Sequence, residues 1–441
     1  MKVLVVGGGT GGHIVPAVTV SKKLTEDGVE VEFWTDRKNY ERVVEMTTFW
    51  CGDDEQEGGR RGVVDGEDIN AELKKSVKNS QYEVENIEVK KVWSGKFHRY
   101  NWKWYEYFTN FGITLKDVIW GNIKGICGFI AGTVQSLWRL RKKVERPDVI
   151  FLKGGFVGLP VGIVAGWLKI PYIIHESDAT LGLANRILAK KARVVATGME
   201  MKGKDGKKSG VEVEMPSGRK GTSGKSGAGK KGARIKKWVC VGIPVAEKFK
   251  PVTVAEQRRL KKELGFKAGR TLVMVTGGSQ GSVHINDAMA EILPELLEIA
   301  SVGIVKGENE IDFGENENLQ VWEYSSEMEK LLGAADVVVS RAGATTVAEL
   351  AVLKKAVVLV PFEKLPGGHQ VKNAEKLAKE GAVEMVVDAE MVEEPEKLLK
   401  AVQELVDDAE LRKKMAGKLH ELGRTDAVER LVEMIVEVGS E

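Results

Sequence analysis

The chain has 441 residues, 43% of them hydrophobic and 29% charged, with a formal net charge of +2. That length exceeds one ordinary core and predicts two domains plus insertions, with the composition of a soluble globular protein. Its three cysteines, Cys51, Cys127 and Cys240, show no CxxC or His/Cys spacing, which excludes a disulfide framework and a zinc site and fits a reducing compartment.

Residues 1–6 read as a strand and not as a cleavable leader, because one lysine precedes four apolar residues and then glycines. The strand Val3–Val6 runs into Gly7-Gly8-Gly9-Thr10-Gly11-Gly12-His13, and Pro16–Leu24 follows as a helix. Val29–Trp34 is a second strand with Asp36 at its end, and Cys51–Gln81 is a polar, acidic insertion. From Trp93 to Trp138, five of the ten tryptophans alternate with lysine and arginine. Val149–Leu152 reads as a strand ending in Lys153-Gly154-Gly155, and Tyr172–Ile174 as another ending in His175-Glu176-Ser177-Asp178. Strands separated by helix-length segments predict βαβ units and a parallel sheet.

The stretch Lys202–Lys237 holds 12 basic against 3 acidic residues, so the rest of the chain is net acidic. It is rich in Gly, Ser and Lys and reads as a disordered loop. Val239–Gly242 resumes the fold and Ile243-Pro244-Val245 marks a hinge. The second half repeats the pattern: a helix over Ala255–Leu264, then the strand Leu272–Val275 running into Thr276-Gly277-Gly278-Ser279-Gln280-Gly281 and a helix from Asn286. Strands follow near Gly303–Val305, Val321–Trp322, Val337–Ser340 and Ala356–Val360, then an amphipathic helical tail over Glu396–Val438. No run of about 20 apolar residues predicts a spanning helix.

Two strand–glycine–helix units heading two chain halves suit phosphate, because glycine brings backbone N–H groups close to a ligand and a helix start adds positive potential. Gly7–Gly12 also satisfies the dinucleotide pattern GxGxxG, with Asp36 where a ribose-binding acid would sit, so an NAD(P)- or FAD-linked oxidoreductase is a rival. His13 at the helix mouth, the second glycine loop and the lack of a hydride-transfer couple count against it. Arg341, Ala344-Thr345-Thr346 with Glu349 a turn further on, and Gly367-Gly368-His369-Gln370 all follow strands in the second half, at the ends where open α/β sheets bind ligands. Glu349 is placed to grip two ribose hydroxyls; alone, it also reads as a helix-dipole charge. His13 reads as a general base or as a residue that only positions substrate.

These segments, with Gly182-Leu183-Ala184-Asn185, Gly242-Ile243-Pro244-Val245, Ser340–Glu349 and His369–Ala374, resemble the successive signatures of the MurG family over roughly residues 1–35, 93–198 and 238–395. The resemblance implies an α/β, two-Rossmann GT-B fold: an acceptor- and membrane-facing domain over 1–243, a UDP-sugar domain over 244–420, and a C-terminal helix over 421–441 packing back on the first. It implies an inverting transferase moving N-acetylglucosamine from UDP to an undecaprenyl-pyrophosphoryl muramyl-peptide, with no cofactor and no metal. By the same resemblance His13 is the base; Thr10, Gly11 and Gly12 face the donor sugar and the acceptor pyrophosphate; and Asp178 approaches the sugar. Ser279 meets the diphosphate and Ser325 lies at the uracil. Arg341, Ala344, Thr345, Thr346, Val347, Ala348 and Glu349 hold phosphate and ribose, and His369 and Gln370 the sugar hydroxyls. Ala246 stands where the family usually places an arginine, with Lys248 nearby, and the insertions 51–81 and 202–237 are atypical.

The lipid-linked acceptor and the aromatic–basic alternation predict docking on the anionic inner leaflet, with Phe97, Trp102, Lys103, Trp104 and Phe108 in the docking face. A non-catalytic UDP-sugar-binding protein is the other alternative. Nucleic-acid binding rests only on the lysine-rich insertion, and no specific nucleic acid is expected.

Overall fold

The computed structural model describes residues 1–9, 11–49, 87–95, 115–142, 146–200, 237–278, 281–363 and 368–441. Thr10, Ser279, the five expected docking residues, nearly all of both insertions and the side chain of His369 lie outside the described residues.

Thirteen strands among the described residues form two parallel sheets. The first contains β1 (Lys2–Val6), β2 (Glu30–Thr35), β3 (Glu88–Lys91), β4 (Val149–Leu152), β5 (Tyr172–Glu176), β6 (Val194–Thr197) and β7 (Lys237–Cys240), in the order β3-β2-β1-β4-β5-β6-β7. The second contains β8 (Leu272–Thr276), β9 (Ser301–Val305), β10 (Leu319–Trp322), β11 (Val337–Ser340), β12 (Ala356–Leu359) and β13 (Glu384–Met385), in the order β10-β9-β8-β11-β12-β13. In register, Val3 of β1 pairs with both Val31 and Val149, and Val273 of β8 with both Val302 and Val337. Both sheets therefore reverse strand order beside their first strand, the GT-B arrangement of two doubly wound domains.

Helices cover both faces, which is why the central strands are continuous apolar runs and not alternating ones. In the first domain one face packs Val3, Val5 and Phe33 under the helix Gly11–Glu26, and the other packs Leu4, Ile150 and Leu152 against the helix Gly155–Leu168. The chain then crosses back: Leu431, Met434, Ile435 and Val438 of the last helix, Ala427–Gly439, are buried in the first domain's core. The two crossings touch at Gly242, whose φ is +93°, where a Cβ would stand 2.6 Å from Arg424 Cβ. A side chain at Gly242 is thus excluded by both conformation and space.

The helix Gly11–Glu26 begins five residues before the expected Pro16, which sits inside it. β3 was not foreseen, because Glu88-Val89-Lys90-Lys91 is a short, charged edge strand without a buried alternating face. The aromatic–basic region contains a 26-residue helix, Leu115–Leu140. A Cβ on its Gly132 would lie 1.9 Å from the Trp93 carbonyl oxygen, so glycine there lets the segment after β3 rest directly on the helix.

Leu431 is completely buried in a domain remote from it in sequence. Leu431→Ala should cost about 2–5 kcal/mol of stability, as other large-to-small core changes do, and lower the urea midpoint of the first domain. An unchanged midpoint would show that the last helix does not support that core.

Candidate active site

The two strand-order reversals open their crevices at the carboxyl ends of β1/β4 and β8/β11. In the first, Gly9 adopts φ +91° with the Phe156 ring against it, and its N–H donates to Asp36 Oδ2 at 2.9 Å. Asp36 also accepts from Lys38 N, Asn39 N and the Asn39 amide, at 2.9–3.2 Å. This corrects the dinucleotide reading: the acid that a ribose would need is already bonded as a staple of the loop.

His13 lies in the first helical turn, beside Gly155, where a Cβ would be 3.8 Å from its ring. Enclosure by protein pushes its pKa down to about 4, with the Lys153 ammonium lowering it further and Glu176 opposing. Lys153 is 1% exposed; its Nζ meets His175 Nδ1 at 2.8 Å and donates to Ser177 Oγ. His175 Nε2 lies 2.8 Å from the Gly242 carbonyl oxygen. A carbonyl only accepts, so Nε2 carries the proton and Nδ1 accepts from the ammonium. Burial pulls the Lys153 pKa down to about 8, with Glu176 and Asp178 resisting. The Glu176 carboxylate accepts from Gly182 N at 2.8 Å, Asn185 Nδ2 at 3.0 Å and Asp178 N at 3.3 Å, ordering the turn after β5.

In the second domain, the helix Ala344–Val352 follows β11 with Gly343 before it and no side-chain cap. Its first N–H groups, those of Ala344, Thr345 and Thr346, have no partner within the helix, as at any helix start. Ala344 and Val347 are buried, Ala348 is half-buried, and Glu349 stands one turn in. Burial raises the Glu349 pKa to about 8, with Lys248 lowering it and Glu329 raising it. Lys248 pairs with Glu329 at 2.8 Å and donates to the Ser326 carbonyl at 3.3 Å, next to Ser325, whose Oγ accepts from Glu327 N. Ala246 is buried in the second core.

Arg341, expected at the phosphate, is clamped within its own domain. It pairs with Asp388, donates to Ser282 Oγ at 2.6 Å and to the Val360 carbonyl at 3.1 Å, and lies over the Phe362 ring. Ser282 caps the helix Val283–Ile299 that follows the second glycine loop, so Arg341 braces this loop from behind. Gln370 Oε1 accepts from Phe362 N at 2.9 Å, in a helix that starts at His369.

The crevices face each other through named bonds. Pro16 lacks the N–H that would bond the Gly12 carbonyl, and Thr345 Oγ1 of the other domain donates to that oxygen at 3.3 Å. Asn373, fully buried, accepts from Ala179 N at 3.2 Å and donates to Asp178 Oδ1 at 3.5 Å. Asp178 is thereby tied to the second domain. Sequence reasoning missed Lys153, Asn373 and Asp388 as site residues. Lys153 had a legible signal, a lone charge closing the apolar strand Val149–Leu152.

Residues 3–49 and 69–197 match the glycosyltransferase family 28 N-terminal domain, and residues 272–431 the glycosyltransferase family 28 C-terminal domain. The UDP-N-acetylglucosamine–N-acetylmuramyl-(pentapeptide) pyrophosphoryl-undecaprenol N-acetylglucosamine transferase of Geobacillus thermodenitrificans is 28% identical over 98% of each chain. The protein of that name from Caldicellulosiruptor saccharolyticus is 27% identical over 96% of this chain and 94% of its own. Among solved structures, MurG of Acinetobacter baumannii superposes with a TM-score of 0.62 at 22% identity, covering 99% of both chains. A UDP-GlcNAc 2-epimerase from Neisseria meningitidis shares the fold at a TM-score of 0.55 and 12% identity, covering 99% of this chain and 100% of its own. With both domains matched in order over most of its length, the chain belongs to glycosyltransferase family 28.

Proposed function

We propose that the chain transfers N-acetylglucosamine from UDP-N-acetylglucosamine to a lipid-linked muramyl-peptide pyrophosphate, with inversion, on the cytoplasmic face of the membrane. The carrying observation is the opposition of two half-sites across one cleft: His13 beside Gly155 in the first domain, and the uncapped helix Ala344–Val352 with Glu349 in the second, joined by Thr345 and Gly12. Inversion needs one in-line displacement. His13, neutral at pH 7, takes the proton of the acceptor hydroxyl as that oxygen attacks the anomeric carbon. The bond to the UDP oxygen breaks, and the charge growing on the diphosphate is met by the N–H groups opening the helix Ala344–Val352 and by the Gly277–Gly278 turn. Glu349 takes the ribose hydroxyls.

The membrane-facing part of this reading rests on the helix Leu115–Leu140. Trp120, Ile123, Ile126, Ile130, Val134 and Trp138 recur along it and are all exposed. Lys124 lies over the Trp120 ring and Lys142 over the Trp138 ring, placing cations at both ends of the apolar stripe. Among the described residues no helix is long and apolar enough to cross a membrane. The stripe suits a peripheral contact, with each basic side chain near an anionic surface contributing about 1 kcal/mol.

His13→Ala should lower kcat by about 100-fold or more, the scale of a lost general base, with UDP affinity by calorimetry unchanged. Near-normal turnover would return His13 to a positioning role. Glu349→Gln should weaken UDP binding by about 1–3 kcal/mol through loss of a charged hydrogen bond. Because the free carboxyl has its pKa near 8 and ribose hydroxyls favour the carboxylate, UDP binding should release a proton at pH 7. Affinity should then rise with pH up to about 8 and level off above it. A flat profile between pH 6 and 8 would remove Glu349 from the ribose. Sedimentation with vesicles should need phosphatidylglycerol, weaken in high salt, and fall at least tenfold in Ile130→Glu/Val134→Glu, a loss of about 1.4 kcal/mol or more. Undiminished sedimentation of that variant would refute the docking face.

A further inference from the structure

Lys153 is a fully buried ammonium at the end of β4 that the transfer reaction, as described, does not use. It stands where three parts of the cleft meet. Its bond to His175 leads through Nε2 to the Gly242 carbonyl, at the contact between the two interdomain crossings. Its bond to Ser177 fixes the turn that Asp178 and Ala179 present to Asn373 of the other domain. Its charge acts on His13, which lies against the neighbouring Gly155.

We propose that Lys153 is a positioning residue for the transfer, its ammonium fixing the cleft floor through His175 and Ser177 and acting by its charge on His13 across the Gly154–Gly155 turn. The inference rests on His13 being the base. A cation buried without a directly paired carboxylate is costly, and side chains of ordinary strand type would fill the same space. The groups facing it are His13 from the first helix, His175 and Glu176 from β5, and Asp178 from the turn that follows. The two carboxylates keep Lys153 charged at neutral pH, while Glu176 alone opposes its effect on His13. The sign follows: a positive charge beside an imidazole disfavours the second proton, so removing it raises the His13 pKa. Burial remains in the variant, so the value rises without returning to that of a free histidine.

The test uses the full-length protein with carbon-13-labelled histidine. The His13 Cε1–H signal is identified by its absence in His13→Gln and titrated in the unaltered protein, Lys153→Met and Lys153→Arg. Its midpoint should rise in Lys153→Met and move back down in Lys153→Arg. The acid limb of kcat/KM for a lipid-linked muramyl acceptor, measured at saturating UDP-GlcNAc so that Glu349 is already ionised, should rise by the same amount. The ratio of kcat/KM at pH 5 to that at pH 8 should fall by about threefold or more, since each unit of upward shift removes up to tenfold of the unprotonated form. A midpoint that rises while the rate profile stays fixed supports Lys153 as the control on His13 and overturns His13 as the base. A His13 midpoint unmoved by Lys153→Met overturns the inference. If that variant does not fold, the unaltered protein decides: as Lys153 loses its proton at about pH 8, the His13 and His175 signals must each show a second step. Absence of that step in His13 overturns the inference.

Discussion

A parallel sheet whose strand order reverses leaves a gap at the carboxyl ends of the two strands that diverge, because the connections on either side run to opposite faces. This chain does so twice, beside β1 and beside β8. Each gap is lined by glycine turns and a helix start. The rest of the molecule keeps the two gaps opposed. The chain crosses between the domains near Gly242 and returns near Arg424, and the crossings pack so closely that only glycine fits between them. The last helix then anchors in the first core. Separation of the domains is thereby limited by two strands of backbone and one buried helix.

Within the cleft, the two halves carry opposite electrostatic imbalances. In the first, burial and then the Lys153 ammonium disfavour protonation of His13. In the second, burial disfavours the carboxylate of Glu349. Each group is therefore held away from its solution behaviour. In the proposed reaction an acceptor hydroxyl would supply the proton His13 lacks, and ribose hydroxyls the donors that a charged Glu349 needs. Burial is the largest cause at both positions, and at His13 the Lys153 ammonium adds to it.

Backbone groups carry much of the remaining design. Pro16 frees the Gly12 carbonyl by lacking an N–H, and Thr345 of the facing domain takes it. Arg341 works from behind, tying Ser282, Asp388 and the Val360 carbonyl together, so that the glycine turn and the strand ends it serves keep their spacing. Rigid placement of N–H groups matters more at a diphosphate than another mobile cation, since preorganised donors need no rearrangement as charge develops.

The doubly wound class, the paired glycine loops and the order of the cleft segments were legible in the sequence, because buried parallel strands are unbroken apolar runs and sharp βα turns demand glycine. The placement of His13 and Glu349, titratable side chains just inside helix starts, was legible too. The short edge strand β3 was not, since Glu88–Lys91 buries too little to leave a pattern. Nor were the partners of the charges. Asp36 looked free for a ribose until the folded loop brought Gly9, Lys38 and Asn39 to it. Arg341 looked free for a phosphate until Asp388, 47 residues on, closed over it. Lys153 looked like one more loop residue until β5 placed His175 and Ser177 against its ammonium. Periodicity and turn chemistry are local and survive in one dimension. Which charge meets which partner depends on strands brought together from distant parts of the chain, and only the tertiary structure decides that.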